Sequence, residues 1–296
     1  MGAPVLQTNS VGFPAQYASK IANLFSNQQG DNAYVTAASG DCLIAVAIGL
    51  KSLDPFDQLH SSHPTLDVAY FPGLTDFMPS APTISDKAVT SPPGGNSWVL
   101  EASYNLQDAD YTVITSPPVP TVWPSAMWNL DGYFPSIYIW VVTSAAAGTY
   151  AINLNSMYQD GVTRPGDLAA GKPIFDGGVD FFVTKFTGMT GTAADGNSSA
   201  ISSANPAVSG AITTTGTGDL VFAVGLQKSA NGIGLGPTDG TLSTQYARVA
   251  DGKLVGSEAH YLAEWGIQTS NGAWTPKFAN PLGYETLVAA IALKHS

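Results

Sequence analysis

Side chains that carry out chemistry are few in this chain, and the histidines are poorly placed for it. The four histidines are His60, His63, His260 and His295. His60 and His63 would hold a metal together on a helix, but Pro64 follows at once and interrupts helices, so we expect two solvent-exposed histidines. A serine-histidine-aspartate triad built on His260 stays open, although no spacing indicates its partners.

The acidic residues form no obvious catalytic pair. Glycoside hydrolysis needs two carboxyl groups that face one cleft, whereas Glu101 and Glu264 fall at outward positions of predicted strands. Asp176 and Asp180 flank a Gly-Gly pair, as expected of turn residues. The loop aspartates lack the alternating spacing of a calcium-binding loop. A polysaccharide hydrolase is therefore the third in order of the functions that we consider.

The chain holds one cysteine, Cys42. A single cysteine excludes an intrachain disulfide and a multi-cysteine metal site. Free cysteine is among the most buried residue types, so we predict a buried apolar side chain rather than a nucleophile. The motifs of nucleotide-binding loops, zinc proteases and serine hydrolases are absent. These observations predict a protein that is not an enzyme, that has no catalytic or metal-binding residue and that needs no cofactor.

Aromatic residues are the candidates for contact with a ligand or partner. Four of them lie among prolines within residues 115–135, where exposed rings would stack on sugars or anchor a protein interface, unless they cover the open end of the core. Two more lie in residues 137–142, which are apolar on both faces, as in a central strand or one whose outer face meets a partner. The candidates are Trp123, Trp128, Tyr133, Phe134, Tyr138 and Trp140.

Composition excludes several classes of partner. Charged residues make up 11% of the chain, against about 25% in typical soluble domains, and the net charge is -11. Binding to nucleic acid depends on basic residues that neutralise phosphates, so we exclude it. We expect no membrane association, because no apolar run approaches the roughly 18 residues of a spanning helix. The first residues lack the charged start and apolar core of a secretory signal, so we do not expect general secretion.

One motif occurs twice, as Ser39-Gly40-Asp41-Cys42 and as Thr217-Gly218-Asp219-Leu220. Each copy is predicted to be a turn that leads into a buried strand. The second glycine follows the first by 178 positions, and only 78 residues remain after it. The copies are therefore interpreted as equivalent strands of one elaborated sandwich, or of one large and one small sandwich.

The remaining pattern indicates β-structure. With 31 Gly and 20 Pro, long helices are improbable. Residues 98–104 and 150–154 alternate in polarity, as half-buried strands do. Residues 137–142 and 149–155 are predicted to form an antiparallel hairpin. Further strands are predicted at 179–186, 219–226, 246–249, 261–267 and 286–293, with tight turns at Asn231-Gly232, Asp251-Gly252 and Asn271-Gly272.

Three segments interrupt the β pattern. Residues 1–33 include a stretch with helical spacing of apolar residues and are predicted to be an N-terminal arm with a short helix. Residues 53–93 and 115–135 are Pro-rich and are predicted to be long ordered loops. Residues 34–296 would form the elaborated β-sandwich, with two sub-sandwiches over 34–190 and 191–296 as the alternative.

The order of several segments resembles a known domain family. The segments are residues 40–47 (GDCLIAVA), 94–98 (GGNSW), 137–140 (IYIW), 148–150 (GTY), 186–189 (FTGM), 215–224 (TGTGDLVFAV) and 287–294 (LVAAIALK). Their order is similar to that of jelly-roll β-sandwich domains in structural proteins of tailed bacteriophages and in bacterial surface proteins. The resemblance covers residues 34–294 and implies an all-β, antiparallel jelly-roll sandwich with no catalytic residues.

The resemblance also implies a function. The first hypothesis is a virion structural protein, a capsid decoration or a head or tail appendage, that is made in the host cytoplasm and binds other capsid or tail subunits. Identical sandwiches usually bury apolar faces against each other, so we expect a homo-oligomer. The alternative is a glycan-binding module for a cell-surface receptor, with Trp123, Trp128 and Tyr133 as the contact residues.

Overall fold

The structure is a computed structural model that describes residues 5–6, 32–53, 83–88, 95–105, 112–113, 120–122, 133–155, 175–189, 194–228, 247–253, 259–281, 283 and 286–295. Within these ranges every regular element is a β-strand, and all strand pairs are antiparallel. The prediction of an all-β protein is thereby confirmed for the described residues. The predicted helix of the N-terminal arm lies outside them.

Nineteen strands are described. Those of the first half are β1 (Val5–Leu6), β2 (Asn32–Ala37), β3 (Cys42–Leu53), β4 (Thr83–Ala88), β5 (Val99–Asn105), β6 (Thr112–Val113), β7 (Pro120–Val122), β8 (Tyr133–Val142), β9 (Gly148–Asn155) and β10 (Phe175–Thr187). Those of the second half are β11 (Ala194–Ser202), β12 (Ala207–Val208), β13 (Ile212–Thr214), β14 (Asp219–Lys228), β15 (Ala247–Lys253), β16 (Ala259–Gln268), β17 (Gly272–Trp274), β18 (Lys277–Phe278) and β19 (Thr286–Leu293).

Two five-stranded sheets form the centre of the protein. The first inner sheet has the strand order β1-β10-β3-β8-β5, and the second inner sheet has the order β11-β19-β14-β16-β15. A three-stranded sheet, β2-β9-β4, and the two-stranded sheets β12-β18, β13-β17 and β6-β7 complete the described strands. Each repeated Gly-Asp motif leads into β3 or β14, which is the central strand of its inner sheet.

The main core lies between the two inner sheets. Ile44 and Val46 of β3 belong to one buried cluster with Phe222 and Val224 of β14 and Ile291 of β19. Their side chains are fully buried, and burial of each aliphatic side chain contributes about 1.5–3 kcal/mol. The two sheets therefore pack face to face.

The outer face of each inner sheet is covered as well. On the first sheet, Val35 of β2 and Tyr150 of β9 pack against Leu43 and Ala45 of β3 in a second buried cluster. On the second sheet, Ala207 of β12, Ile212 of β13, Trp274 of β17 and Phe278 of β18 pack against apolar residues of β14, β16 and β19. The described strands thus form four layers, and the two middle layers are buried on both faces.

This layering decides between the two interpretations of residues 137–142. Ile137, Ile139 and Val141 face the core between the inner sheets, whereas Tyr138 and Trp140 face the three-stranded sheet. The strand is apolar on both faces because its sheet is a middle layer, packed on both sides by other strands of the same chain. Its apolar outer face is covered by the chain itself.

The predicted hairpin of residues 137–142 and 149–155 is wrong. β8 pairs with β3 and β5, whereas β9 pairs with β2 and β4 in the outer three-stranded sheet. The short link therefore crosses from one layer to the next, with Ala145 buried and the Tyr150 hydroxyl donating to the Ala146 carbonyl at 3.0 Å. Two adjacent strand patterns do not show whether the chain turns within a sheet or between sheets.

Three local predictions also change. Asp251 and Gly252 lie within β15 rather than in a turn. Val5 and Leu6, which were assigned to the arm, pair with β10 at the edge of the first inner sheet. The Pro-rich segment 53–93 contains β4, which is a strand of the outer sheet.

Candidate functional site

The start of β5 carries the exposed apolar residues of the described structure. Val99 is 52% exposed and Leu100 is 39% exposed, and they are the large hydrophobic residues that the described part leaves exposed. β5 is an edge strand that pairs with β8. We call Val99 and Leu100 the edge patch.

A bulge in β5 decides on which face of the sheet Leu100 lies. Leu100 pairs with Trp140 and Ala102 pairs with Ile139, so Glu101 is the extra residue between them. A bulge shifts the alternation of faces by one residue. Ala102 and Tyr104 therefore reach the core between the inner sheets, while Leu100 falls on the opposite face. Burial raises the pKa of Glu101 above its usual value.

Hydrogen bonds fix the segment that leads into the edge patch. The backbone N–H of Asn96 donates to both carboxylate oxygens of Asp86 at 3.0 Å, and its side-chain amide donates to the same carboxylate at 2.5 Å. The side-chain oxygen of Asn96 accepts the N–H of Ala146 at 3.0 Å. A Cβ on Gly95 would lie 2.5 Å from a carboxylate oxygen of Asp86, so a larger residue here would displace that carboxylate from its hydrogen bonds with Asn96. The segment before β5 is therefore held to β4 and to the link between β8 and β9.

Each of the two Gly-Asp turns contains a buried carboxylate. Asp41 is 5% exposed, and its carboxylate accepts the N–H of Ala38 at 2.8 Å and lies 3.6 Å from the ammonium group of Lys185. Asp219 is fully buried and accepts the N–H groups of Gly216 and His295, each at 2.9 Å. These carboxylates hold backbone groups in place.

Asp195 lies beside the second turn. Its carboxylate accepts the N–H of Thr215 at 2.5 Å and the hydroxyl of the same residue at 2.8 Å, and it lies 3.5 Å from the ammonium group of Lys294. Burial alone would raise the pKa of Asp195, but these hydrogen bonds, a contact with Asp219 and the charge of Lys294 hold that pKa below its usual value. The cluster ties the start of β11 to the segment after β19.

The residues that were weighed above for catalysis or metal binding form no assembled site within the described ranges. No group of three or more histidine, cysteine, aspartate or glutamate residues there is arranged to hold a metal ion. Cys42 is fully buried as predicted, and burial, followed by the charge of Asp41, raises the pKa of its thiol to about 12. Glu264 is 2% exposed, so its predicted outward position is wrong. It lies in the second inner sheet and Glu101 lies in the first.

The structure describes the side chains of two of the six aromatic candidates. Trp123 and Trp128 lie outside the described residues. Tyr133 and Phe134 form the start of β8, of which the backbone is described. Tyr138 and Trp140 are 1% and 4% exposed, and their rings stack at 5.7 Å between the first inner sheet and the outer sheet. The side chains of these last two are part of the core.

Sequence reasoning missed the edge patch. It placed Leu100 on the same face as Ala102, because strict alternation contains no bulge. The charge of Glu101 fits the outward position that strict alternation gives it, so the sequence pattern carries no signal of the bulge. The described ranges also hold no helix that is long and apolar enough to span a bilayer.

Comparisons with known proteins give no match. No family model, no curated protein and no solved structure matches this chain.

Proposed function

We propose that the chain is a non-enzymatic structural protein of a bacteriophage particle, a capsid decoration or a head or tail appendage protein. In this role it binds other particle subunits through protein contacts. The observation that carries the proposal is the edge patch, where Val99 and Leu100 are exposed on a strand whose approach is fixed by hydrogen bonds. Apolar residues at an exposed sheet edge favour contact with another protein.

The strand order supports a jelly roll as the building unit. In the second half, β11 pairs with β19, β12 with β18, β13 with β17 and β14 with β16, so the first strand meets the last and the pairs are nested. In the first half, β1 pairs with β10, β2 with β9 and β3 with β8. Such nesting is what a long hairpin rolled into two sheets produces. Jelly rolls are common in viral capsid proteins and in lectins.

One feature favours the structural role over the glycan-binding role. The edge patch is aliphatic, whereas sugar rings are usually bound by exposed aromatic faces. The assignment to a bacteriophage particle, rather than to another assembly, comes from the resemblance of the segment order.

The first test concerns the edge patch in the purified protein. The double variant V99D/L100D places two charges where a partner subunit would bury apolar surface. The matched control is T213D, which adds a charge at an exposed position of β13 in a different layer. By light scattering, we expect an oligomer for the wild type and T213D, and monomer for V99D/L100D, with unchanged circular dichroism. A wild-type protein that is monomeric at all concentrations contradicts the homo-oligomer.

The second test concerns the particle. Particles purified from cells that express the gene in its native context are analysed by mass spectrometry. We expect the wild-type chain and T213D in the particle fraction, and depletion of V99D/L100D. Absence of the wild-type chain from every particle fraction refutes the structural role.

A glycan-binding module is the second candidate, because lectins also use the jelly roll. Its test is a glycan array with the wild-type protein and the W128A variant. Binding that is lost in W128A, with unchanged unfolding, would assign the glycan role to the aromatic segment. The structural role predicts no binding by either protein.

A further inference from the structure

The two halves of the protein have the same strand topology. The first inner sheet, β1-β10-β3-β8-β5, corresponds strand by strand to the second, β11-β19-β14-β16-β15. The pair β2 and β9 outside the first sheet corresponds to the pair β13 and β17 outside the second. In both halves these strands occur in the same order along the chain. Seven strands therefore have the same order along the chain and the same arrangement in each half. This agreement needs one explanation.

The two Gly-Asp turns are also equivalent in geometry. Gly40 and Gly218 have φ angles of +88° and +89°, which favour glycine. Each following aspartate accepts the backbone N–H of the residue three positions before it, at 2.8 Å for Asp41 and 2.9 Å for Asp219. The repeated sequence motif therefore forms the same local structure twice.

Strand register agrees when the halves are aligned on this motif. Leu43 and Val221, two residues after the aspartates, pair with Val142 of β8 and Gly266 of β16. Trp140 of β8 and Glu264 of β16 each lie two positions before these partners. In each half, the bulge of the edge strand begins at the residue that pairs with this position. The bulge is thus at the same place in both edge strands.

The covering aromatic side chain is equivalent as well. Tyr150 follows Val142 by eight positions, and Trp274 follows Gly266 by eight positions. Both side chains are fully buried against the outer face of their own inner sheet. The matching turns and strand registers do not by themselves require the spacing of eight residues or the burial of these two aromatic side chains.

From these agreements we infer that the chain is a tandem duplication. Residues 5–189 and 194–295 are two copies of one strand unit, and the inner face of each copy has the other copy as its binding partner. Within the described residues every strand pair lies inside one copy, so neither copy borrows a strand. The inference is independent of the particle role.

Two contacts between the copies are related by exchange of the copies. β10 of the first copy packs on β16 of the second, through Phe182 on Tyr261 at 6.2 Å and Phe186 on Trp265 at 5.2 Å. β8 of the first copy packs on β19 of the second. Since β8 corresponds to β16 and β19 to β10, the second contact is the first with the copies exchanged. Such reciprocity is the mark of an isologous dimer, here contained in one chain.

The symmetry is broken by side-chain size. Phe182 and Phe186 correspond to Ala289 and Leu293 of β19, and Tyr261 corresponds to Ile137 of β8. One flank of the interface is therefore aromatic and the other aliphatic. A copy paired with its own kind would set an aromatic strand against an aliphatic one on both flanks, β10 on β8 or β16 on β19, so the flanks match only when each copy binds the other.

The test uses the full chain with a protease site inserted between Met189 and Ala194. After folding and cleavage, the two fragments should co-elute as one 1:1 complex with the circular dichroism of the intact chain. After denaturation and joint refolding they should reassociate. The matched control carries the same site between Lys228 and Ala247, inside the second copy, and we expect its fragments to lose most of this recovery.

A second variant tests the completeness of each copy. It reverses their order, so that residues 194–296 precede residues 1–193 through a flexible linker. We expect the spectrum and the urea midpoint of the wild type. The inference is overturned if the cleaved halves fail to reassociate, if both cleavage sites allow equal recovery, or if the reversed chain is unfolded while the cleaved chain is intact.

Discussion

Removal of the Asp219 carboxylate should destabilise the protein more than removal of its counterpart, Asp41. Asp219 is fully buried and accepts two backbone N–H groups, from Gly216 and His295. A buried donor that loses its acceptor costs about 1–3 kcal/mol. Both donors are partly buried, so we expect D219A to lower the free energy of unfolding by about 2–4 kcal/mol.

Asp41 is the matched comparison. Its carboxylate accepts one backbone N–H, from Ala38, and lies 3.6 Å from Lys185. In D41A the lysine keeps its hydrogen bond to the Thr36 carbonyl at 2.8 Å. Because only one backbone N–H loses its acceptor, we expect D41A to lower the free energy of unfolding by about 1–2 kcal/mol.

Urea unfolding followed by fluorescence and circular dichroism measures both losses. With an m value of about 3 kcal/mol/M, D219A should lower the urea midpoint by about 1 M, and D41A should lower it by about half of that. The conservative variant D219N keeps one acceptor oxygen and should fall between D219A and the wild type. Equal losses for D219A and D41A, or a larger loss for D41A, would refute the claim that the number of backbone N–H donors left without an acceptor sets the cost.

Other contacts give smaller or opposite effects. Cys42 should resist Ellman's reagent in the folded protein at pH 8, because burial raises the pKa of its thiol to about 12. G40A and G218A both place a side chain at positive φ, which costs about 1–2 kcal/mol, and the urea midpoint should fall further for G218A, whose Cβ would lie 3.2 Å from a histidine ring. Burial alone would raise the pKa of Asp195, but its hydrogen bonds hold that pKa below the unfolded value. Its stabilisation is therefore present above about pH 4 and lost in acid, so D195N should flatten the acid limb of the stability profile. Y138F should unfold at the same or a higher urea concentration, because the Tyr138 hydroxyl is buried without a hydrogen-bond partner in the described structure.

For each of these predictions one experimental result would contradict it. These results are rapid labelling of the folded thiol, equal midpoints for the two glycine variants, an unchanged acid limb for D195N, and a large loss of stability for Y138F. The unfolded protein in urea is the control for thiol labelling, and circular dichroism of each variant shows whether it folds.

The sequence predicts strands well where they are continuously apolar. Residues 219–226 and 286–293 were predicted, and the strands are Asp219–Lys228 and Thr286–Leu293. Both belong to a sheet that is buried on both faces, so the apolar run and the strand have the same cause. Periodicity was less informative at β5, where the bulge at Glu101 interrupts the alternation and places Leu100 on the face opposite to Ala102.

The pairing of the strands was harder to predict than the strands themselves. The link between β8 and β9 is short enough for a hairpin, yet it crosses between layers because Tyr150 and Ile152 are needed to cover the first inner sheet. Glu264 was placed outward because it follows an apolar neighbour in an alternating strand. In a four-layer protein the outer face of an inner sheet is also buried, so alternation no longer separates core from solvent.

The low charge content has the same physical origin. In a two-layer sandwich each strand has one wet face, which accepts Lys, Glu, Asp and Arg. Here the two inner sheets are covered on both sides, and β19 is buried along all of Thr286–Leu293. Charged side chains are almost never fully buried unless they are paired, so ten inner-sheet strands offer them few positions, and 11% charged residues follow. In the described ranges this coverage closes both faces of the central inner-sheet strands, so the contact that we propose with a second subunit falls at an edge such as the start of β5.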